Sequence, residues 1–305
     1  MTPLDLSIII VTYNSTDDAL NTCESYRTAI AADPDHTYEV IVVDNDSVSG
    51  TADAIAQHHP WVELIRNPAN IGYSCANNIG FRACTGRYLL FSNPDIEVFA
   101  DTLPILINTM DQAPHVGACT PYLELMESGN LDWGAHRGFP TPWASFTYMT
   151  RVAHICRFSQ RLSRVFGRYH MMDKDLSAPH EVEAINGGFT FIRREVFEEI
   201  DGWDEDYFLF GEDIDLCLRI AERGHRIMFY PQARARHRLG STTGLKHNSP
   251  TTDPHVRDSS YNLFYDSMRL FYDKNYRNRY GPLVRGAVLL SIEMKRKLGR
   301  RRIVV

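Results

Sequence analysis

An α/β fold is predicted: a mostly parallel central sheet flanked by helices, followed by a helical C-terminal extension. Three observations carry this. Runs apolar on both faces alternate with helical segments through the first hundred residues, as they do in parallel sheets covered on both sides. Each run stops at a polar cluster, and the carboxyl edge of such sheets is where ligands bind. Residues 256–305 read as helical, aromatic and basic.

Taken in order, Leu6 to Val11 is a β-branched strand ending in Thr12-Tyr13-Asn14. A helix is expected from Ser15 to Ala32. Tyr38 to Val43 forms the second strand and stops at Asp44-Asn45-Asp46-Ser47. A helix over Gly50–His58, a strand over Val62–Ile65 and a helix over Gly72–Cys84 follow. The strand Tyr88–Ser92 runs into Asn93-Pro94-Asp95. The stretch 120–182 is rich in Trp, Tyr, Arg and His with poor periodicity, and reads as an excursion over the site rather than sheet. Strand and helix resume at Ile185–Ile192 and Arg194–Ile200. Glu212 opens a helix to Arg223, and Arg226–Phe229 is the last strand. The expected division is 1–250 (halves 1–118 and 119–250) and a basic extension, 251–305.

Composition excludes several classes. With 305 residues, 44% hydrophobic and 23% charged, the chain is an ordinary globular protein. Lys plus Arg number 32 and Asp plus Glu 38, a net −6 that makes no case for nucleic-acid binding. Residues 276–305 carry nine Lys/Arg against one Glu, so a basic tail follows an acidic body and suggests an anionic surface nearby. Six scattered cysteines (23, 75, 84, 119, 156, 217) fit neither paired-cysteine zinc sites nor a disulfide framework, and suit a reducing cytosol. The N-terminus lacks a basic n-region, so a signal peptide is not expected. No apolar stretch is long enough to span a bilayer. Neither GxGxxG after the first strand nor GxxxxGK[ST] occurs, which counts against a nicotinamide dehydrogenase and a P-loop NTPase.

Four places can carry chemistry. Asp44 at a strand end can accept hydrogen bonds from a pyrimidine N–H or a ribose hydroxyl, or serve as a turn residue. Asp95 after the next strand suits Mg²⁺ or Mn²⁺ beside a diphosphate, although Asn-Pro-Asp is also strong turn chemistry. Glu212, Asp213 and Asp215 open a helix, where the dipole favours acids. The aromatic loop before them would wall a cleft in which a carboxylate becomes a general base. His237 follows the last strand on the same side and suits a metal or phosphate role, or a structural one.

In combination these motifs resemble family 2 glycosyltransferases. SIIIVTYN, VVDNDS, NIGYSCANNIG, NPD and INGGFTFIRREVFEEIDGWDEDYFLFGEDIDLCLR, then a late His, recur in that order over residues 5–240. NPD with GEDxDL is most similar to the bacterial rhamnosyltransferase-type members. The resemblance implies a GT-A fold, a nucleotide-sugar donor and inversion at the anomeric carbon. By position it implies that Thr12, Asn14 and Asp44 hold the nucleoside, and that Arg66, Asn78 and Asn93 line the donor pocket. It assigns Asp95 and His237 to the metal, Asp213 to the catalytic base, and Glu212 to the next candidate for it. The first acid of the family's DxD is Asn93 here, so the diphosphate must complete the metal's coordination.

The resemblance further implies L-rhamnose transfer from dTDP-L-rhamnose to a glycan or polyprenyl-linked acceptor in cell-surface polysaccharide synthesis. UDP-GlcNAc, UDP-galactofuranose or GDP-mannose are rival donors. A non-catalytic subunit that only binds a sugar nucleotide is a rival class, against which Asp44, Asp95 and Asp213 stand together. The expected location is cytoplasmic, peripheral at the inner face of the plasma membrane. Contact there would run through 283–305, where Leu283, Leu290, Ile292 and Met294 supply apolar area and Lys295–Lys297 and Arg300–Arg302 supply charge. A homodimer through the aromatic C-terminal helices is compatible with the same pattern.

Overall fold

β-Branched runs build the sheet because a pleated surface suits stiff side chains that pack on both faces. In a computed structural model, describing residues 4–156, 158–238 and 254–303, the chain begins with β1 (Leu6–Thr12), α1 (Thr16–Ala31), β2 (Tyr38–Asp44) and α2 (Thr51–His58). β3 (Glu63–Arg66), α3 (Tyr73–Ala83), β4 (Tyr88–Ser92), β5 (Ile96–Val98) and α4 (Thr102–Asp111) follow. Next come β6 (Val116–Leu125), three short helices α5 (Pro142–Met149), α6 (Val152–Cys156) and α7 (Gln160–Phe166), and β7 (His180–Glu181). The remainder is β8 (Phe189–Arg193), α8 (Arg194–Glu199), α9 (Glu212–Glu222), β9 (Arg226–His237), α10 (Pro254–Phe271) and α11 (Pro282–Ile303).

The nine strands form one mixed sheet in the order β3-β2-β1-β4-β8-β6-β9-β5, with β7 paired to β9. β1, β2, β3 and β4 are mutually parallel. β8 is antiparallel to β4 and to β6, while β9 is parallel to β6, so most paired residues lie in parallel ladders. Reversing twice through β8 points β6 and β9 the same way as β4. Thr12, Asp44, Ser92 and His237 therefore end their strands at one edge of the sheet.

Alternation along each strand splits the core into two layers. Ile8, Ile10, Val40, Val42 and Leu90 pack with Ala19, Cys23 and Tyr26 of α1 and Leu103 and Leu106 of α4. Ile9, Val11, Ile41, Val43 and Leu89 face the other way, against Ala76 of α3, Phe197 of α8 and Leu216 and Ile220 of α9. Each fully buried Ile or Leu contributes roughly 1.5–3 kcal/mol. Gly80 brings α3 close: a Cβ there would stand 2.5 Å from Ile9 Cγ2. A third cluster joins Tyr207 and Leu218 to Phe271, Tyr272 and Tyr276, which docks the C-terminal helices on α9.

Three expectations are corrected. Val116–Leu125 is a strand inside the sheet, although its second half was read as part of the excursion. Pro121 removes a ladder donor there, and the register with β9 shifts between Pro121 and Tyr122. The last strand continues past Phe229 to His237 in an alternation of exposed Arg234 and Arg236 with buried Ala233, Ala235 and His237. Helix α4 and strand β5 were not anticipated. The boundary expected at 250/251 lies outside the described residues.

Candidate functional site

Asp44 lies beside Thr12 in the parallel register of β1 and β2. Its Oδ2 accepts the Ser47 N–H at 3.0 Å. Its Oδ1 is buried and has no hydrogen-bond partner among the described residues. A buried carboxylate oxygen left unsatisfied at a sheet's carboxyl edge suits a ligand N–H or hydroxyl. The Thr12 hydroxyl is buried and shares a 2.8 Å hydrogen bond with Ser15.

Asn14 adopts a left-handed φ of 50°. Its side-chain oxygen accepts the N–H groups of Val48 and Ser49 at 2.9 and 3.2 Å, lacing the end of β1 to the loop after β2. Arg66 turns away to an exposed ion pair with Asp53 at 2.7 Å. Asn78 is spent on the loop before α9: it donates to Trp203 O at 2.8 Å and Glu205 Oε1 at 2.9 Å and accepts the Trp203 N–H at 3.0 Å. None of Thr12, Asn14, Asp44, Arg66 and Asn78 is among the residues that line the large cavity described next.

That cavity, of about 860 Å³, opens at the carboxyl edge. Asn93, Asp95, Glu212, Asp213 and His237 all line it, so five of the anticipated residues meet in one space. Its far wall is apolar, built by Phe146 and Met149 of α5, Phe264 and Met268 of α10, and Val288 and Ile292 of α11.

Asp95 and His237 face each other across the β5–β9 pair, whose register sets Ile96 opposite His237. Asp95 Oδ1 lies 3.4 Å from His237 Nε2. The other ring nitrogen, Nδ1, is 2.9 Å from Asp132 Oδ2. A carboxylate only accepts, so Nδ1 carries a proton and Nε2 is the nitrogen turned toward Asp95. Burial pushes the His237 pKa down, but the Asp95 charge and the contacts with Asp132 outweigh it and lift the pKa to about 10, so Nε2 must release its proton to serve as a metal donor.

Asp132 is held in turn by the Gly134 N–H at 2.9 Å and by Asn186 Nδ2 at 2.9 Å. This is the carboxylate–histidine arrangement that orients metal ligands. An oxygen and an imidazole donor suit Mg²⁺ or Mn²⁺. Among the described residues no group of three His, Cys, Asp or Glu converges on one point, so diphosphate and water would supply the remaining positions.

Gly211, at φ 83°, turns the chain into α9 and sets Glu212 and Asp213 in its first turn. Asp213 Oδ2 meets Arg137 Nη2 at 2.5 Å, while its Oδ1 accepts the Ile214 N–H at 2.8 Å. Arg137 is partly buried, and the same Nη2 donates to Ile185 O at 2.9 Å. Glu212 is 7% exposed, and its Oε2 has no hydrogen-bond partner among the described residues. Burial first, then the neighbouring Asp213 charge, raises its pKa to about 8. Asp215, by contrast, is structural: it pairs with Arg219 at 2.7 Å and accepts from Asn275 at 2.9 Å.

A smaller cavity of about 380 Å³ lies on the other side of the Arg137–Asp213 pair. Trp133, Tyr148, Tyr169 and His170 wall it. Arg137, Tyr169, Asn186 and Asp213 line both spaces. Sequence reasoning missed Asp132, Arg137 and Asn186. Tyr73 was also missed: it lines the large cavity and donates to Gly187 O at 2.8 Å. The Trp- and His-rich composition after residue 120 was the available signal.

The model of glycosyl transferase family 2 matches residues 7–201. An N-acetylglucosaminyl-diphospho-decaprenol L-rhamnosyltransferase of Mycobacterium tuberculosis is 24% identical over 250 residues, covering 78% of each chain. The rhamnosyltransferase WbbL of Escherichia coli is 27% identical over 237 residues, 75% of this chain and 82% of that one. The mannosyltransferase PcManGT of Pyrobaculum calidifontis, solved with GDP-Man and Mn²⁺, superposes with a TM-score of 0.57 at 18% identity, over 99% of this chain and 72% of that one. GalNAc-T7, solved with UDP, GalNAc and Mn²⁺, gives a TM-score of 0.57 at 19% identity, over 89% of this chain and 50% of that longer one. These likenesses give the fold, which is GT-A. With the family model matched over most of the sheet and the motif carboxylates gathered at its edge, the chain belongs to glycosyl transferase family 2.

Proposed function

We propose that this glycosyltransferase moves L-rhamnose from dTDP-L-rhamnose, with inversion, onto a hydroxyl of a lipid-linked glycan. The observation that carries the reading is one cavity lined by Asp95 and His237, by Glu212 and Asp213, and by an apolar wall from α5, α10 and α11. The donor assignment is supported by the rhamnosyltransferases of two bacteria among the relatives. The apolar wall suits the chain of a polyprenyl acceptor, and the aromatic smaller cavity suits the acceptor's sugar ring.

Asp44 and Thr12 would bind the nucleoside. Asp95 and His237 would hold Mg²⁺ or Mn²⁺, which when bound would neutralise charge on the leaving diphosphate. Asp132 keeps the His237 ring oriented for that task. Asp213, fixed by Arg137, takes the proton from the acceptor hydroxyl as it attacks from the face opposite the leaving group. One displacement inverts the anomeric carbon, and no protein nucleophile is needed. Glu212, protonated at neutral pH, donates a hydrogen bond to a sugar hydroxyl beside it.

No helix among the described residues is long and apolar enough to cross a membrane. Peripheral contact through 283–305 belongs to the same reading, since a lipid-linked acceptor must be reached at a bilayer. Leu283, Leu290, Met294 and Leu298 are exposed on α11.

The test is turnover on a donor panel with N-acetylglucosaminyl-diphospho-polyprenol as acceptor. Product from dTDP-L-rhamnose is expected. Product from UDP-GlcNAc, UDP-galactofuranose or GDP-mannose alone would replace the donor assignment. Donor binding with no turnover of any donor would favour the non-catalytic reading.

A further inference from the structure

Residues 133–172 contain no Asp or Glu and six Arg: 137, 151, 157, 161, 164 and 168. In a chain whose net charge is −6, a forty-residue stretch without a carboxylate is a marked asymmetry. The same stretch holds α5, α6 and α7, which pack on one another in sequence. It also concentrates exposed apolar side chains: Ile155 is 75% and Phe158 84% exposed, with Trp143, Phe146, Leu162 and Val165 about half exposed. Exposed single hydrophobics are ordinary, but five on three adjoining short helices, with Phe158 between the last two, are a patch.

The patch is continuous with the cavity. Trp143 stacks on Phe146 at 6.0 Å and tilts against Phe166 at 5.6 Å, and its indole N–H donates to Val165 O at 3.0 Å. α5 and α7 therefore present their apolar groups as one surface. Phe146 belongs both to this surface and to the cavity wall. Arg151, Arg161, Arg164 and Arg168 of the same stretch are exposed, with Arg164 paired to Asp173 at 3.5 Å and Arg168 to Glu183 at 2.8 Å. Apolar groups that insert, on a segment that carries arginines and no carboxylate of its own, are the composition of an interfacial segment on an anionic bilayer.

We propose that α5–α7 are a membrane-docking surface that seats the cavity mouth on anionic lipid. This goes beyond the glycosyl-transfer reading and does not need it, because docking is read with lipid alone. It also differs from contact through 283–305, on another part of the chain.

The test is co-sedimentation of the full chain with phosphatidylcholine vesicles, with and without phosphatidylglycerol. Ile155→Glu/Phe158→Glu, Arg161→Gln/Arg164→Gln and Leu290→Glu/Met294→Glu are compared with the wild type. Ile155, Phe158, Arg161 and Arg164 lie outside the proposed catalytic and donor-binding residues, Leu290 and Met294 report on the contact proposed for 283–305, and an unchanged melting temperature reports an intact fold. The wild type is expected to pellet with phosphatidylglycerol vesicles and to be released by salt. Ile155→Glu/Phe158→Glu is expected to lower partitioning about tenfold or more. Arg161→Gln/Arg164→Gln is expected to remove most of the dependence on phosphatidylglycerol. Wild type that stays in the supernatant overturns the proposal. So does binding lost only in Leu290→Glu/Met294→Glu, which would leave α11 as the anchor. A wild-type dimer that Ile155→Glu/Phe158→Glu makes monomeric, without vesicle binding, would assign the patch to a second copy and likewise overturn it.

Discussion

Arg137 Nη2 lies 2.5 Å from Asp213 Oδ2 and, through the same nitrogen, 2.9 Å from the Ile185 carbonyl. The pair ties the first turn of α9 to the segment after β6 and separates the two cavities. It fixes the Asp213 carboxylate where a donor sugar and an acceptor hydroxyl would meet, so the carboxylate cannot swing to another partner.

Asp213→Asn is therefore expected to leave a folded protein, because the amide oxygen still accepts from Arg137. The melting temperature should fall, since a partly buried guanidinium loses its counter-charge. Turnover should fall about 10²–10⁴-fold, the usual worth of a general base, while donor affinity stays. Rates measured well below the melting temperature, with donor binding by calorimetry, check this. Near-normal turnover would move the base to Glu212.

Glu212 separates the two carboxylates by pH. Its folded pKa is raised, from 4.5 to about 8, so the folded protein holds a proton that the unfolded chain releases near 4.5. The associated stability is full below the unfolded value and is lost as pH rises through about 8. Glu212→Gln mimics the protonated form. It is expected to keep activity at neutral pH and to remove the fall in melting temperature that the wild type is expected to show between about pH 4.5 and 8. Activity abolished at every pH would instead make Glu212 the base.

Asp132 bears on metal affinity without being a ligand in this reading. Asp132→Asn removes the carboxylate that holds His237 Nδ1. Mn²⁺ affinity in the presence of a nucleoside diphosphate should weaken about 10–100-fold, as for other partners behind a ligand. Asp95→Ala should weaken it further, since it removes a donor. Electron paramagnetic resonance of free Mn²⁺ measures both. Wild-type activity insensitive to EDTA would sink the metal assignment altogether.

The parallel half of the fold was legible because β1, β2 and β4 are buried on both faces and leave continuous apolar runs. β6 was obscured by Pro121 and its register shift, and the end of β9 by its arginines, which alternate outward. Asp95, Glu212, Asp213 and His237 were legible through motif order, and the fold does bring them to one cavity. Asp132 and Arg137 were not. They reach the site through long-range pairings, 105 residues to His237 and 76 to Asp213, that no local pattern encodes.

Asn78 gives the clearest contrast between motif and geometry. It lies in NIGYSCANNIG and was assigned to the donor pocket, yet its amide makes three hydrogen bonds to residues 203 and 205. The loop it holds carries Trp203, which is 1% exposed and packs edge-on against Tyr73 at 5.9 Å and Phe91 at 5.2 Å. Removing the amide leaves the buried Trp203 backbone groups without their partner, and each unsatisfied buried group costs about 1–3 kcal/mol. Asn78→Ala is expected to lower stability by at least that amount, read by denaturant unfolding. Donor affinity should be unchanged at temperatures where the variant is folded. Asn78→Asp should be as damaging, because the carboxylate faces Trp203 O and Glu205 where the amide donated. A variant with normal stability and a donor Kd weakened about tenfold, equivalent to ~1.4 kcal/mol, would return Asn78 to the donor site.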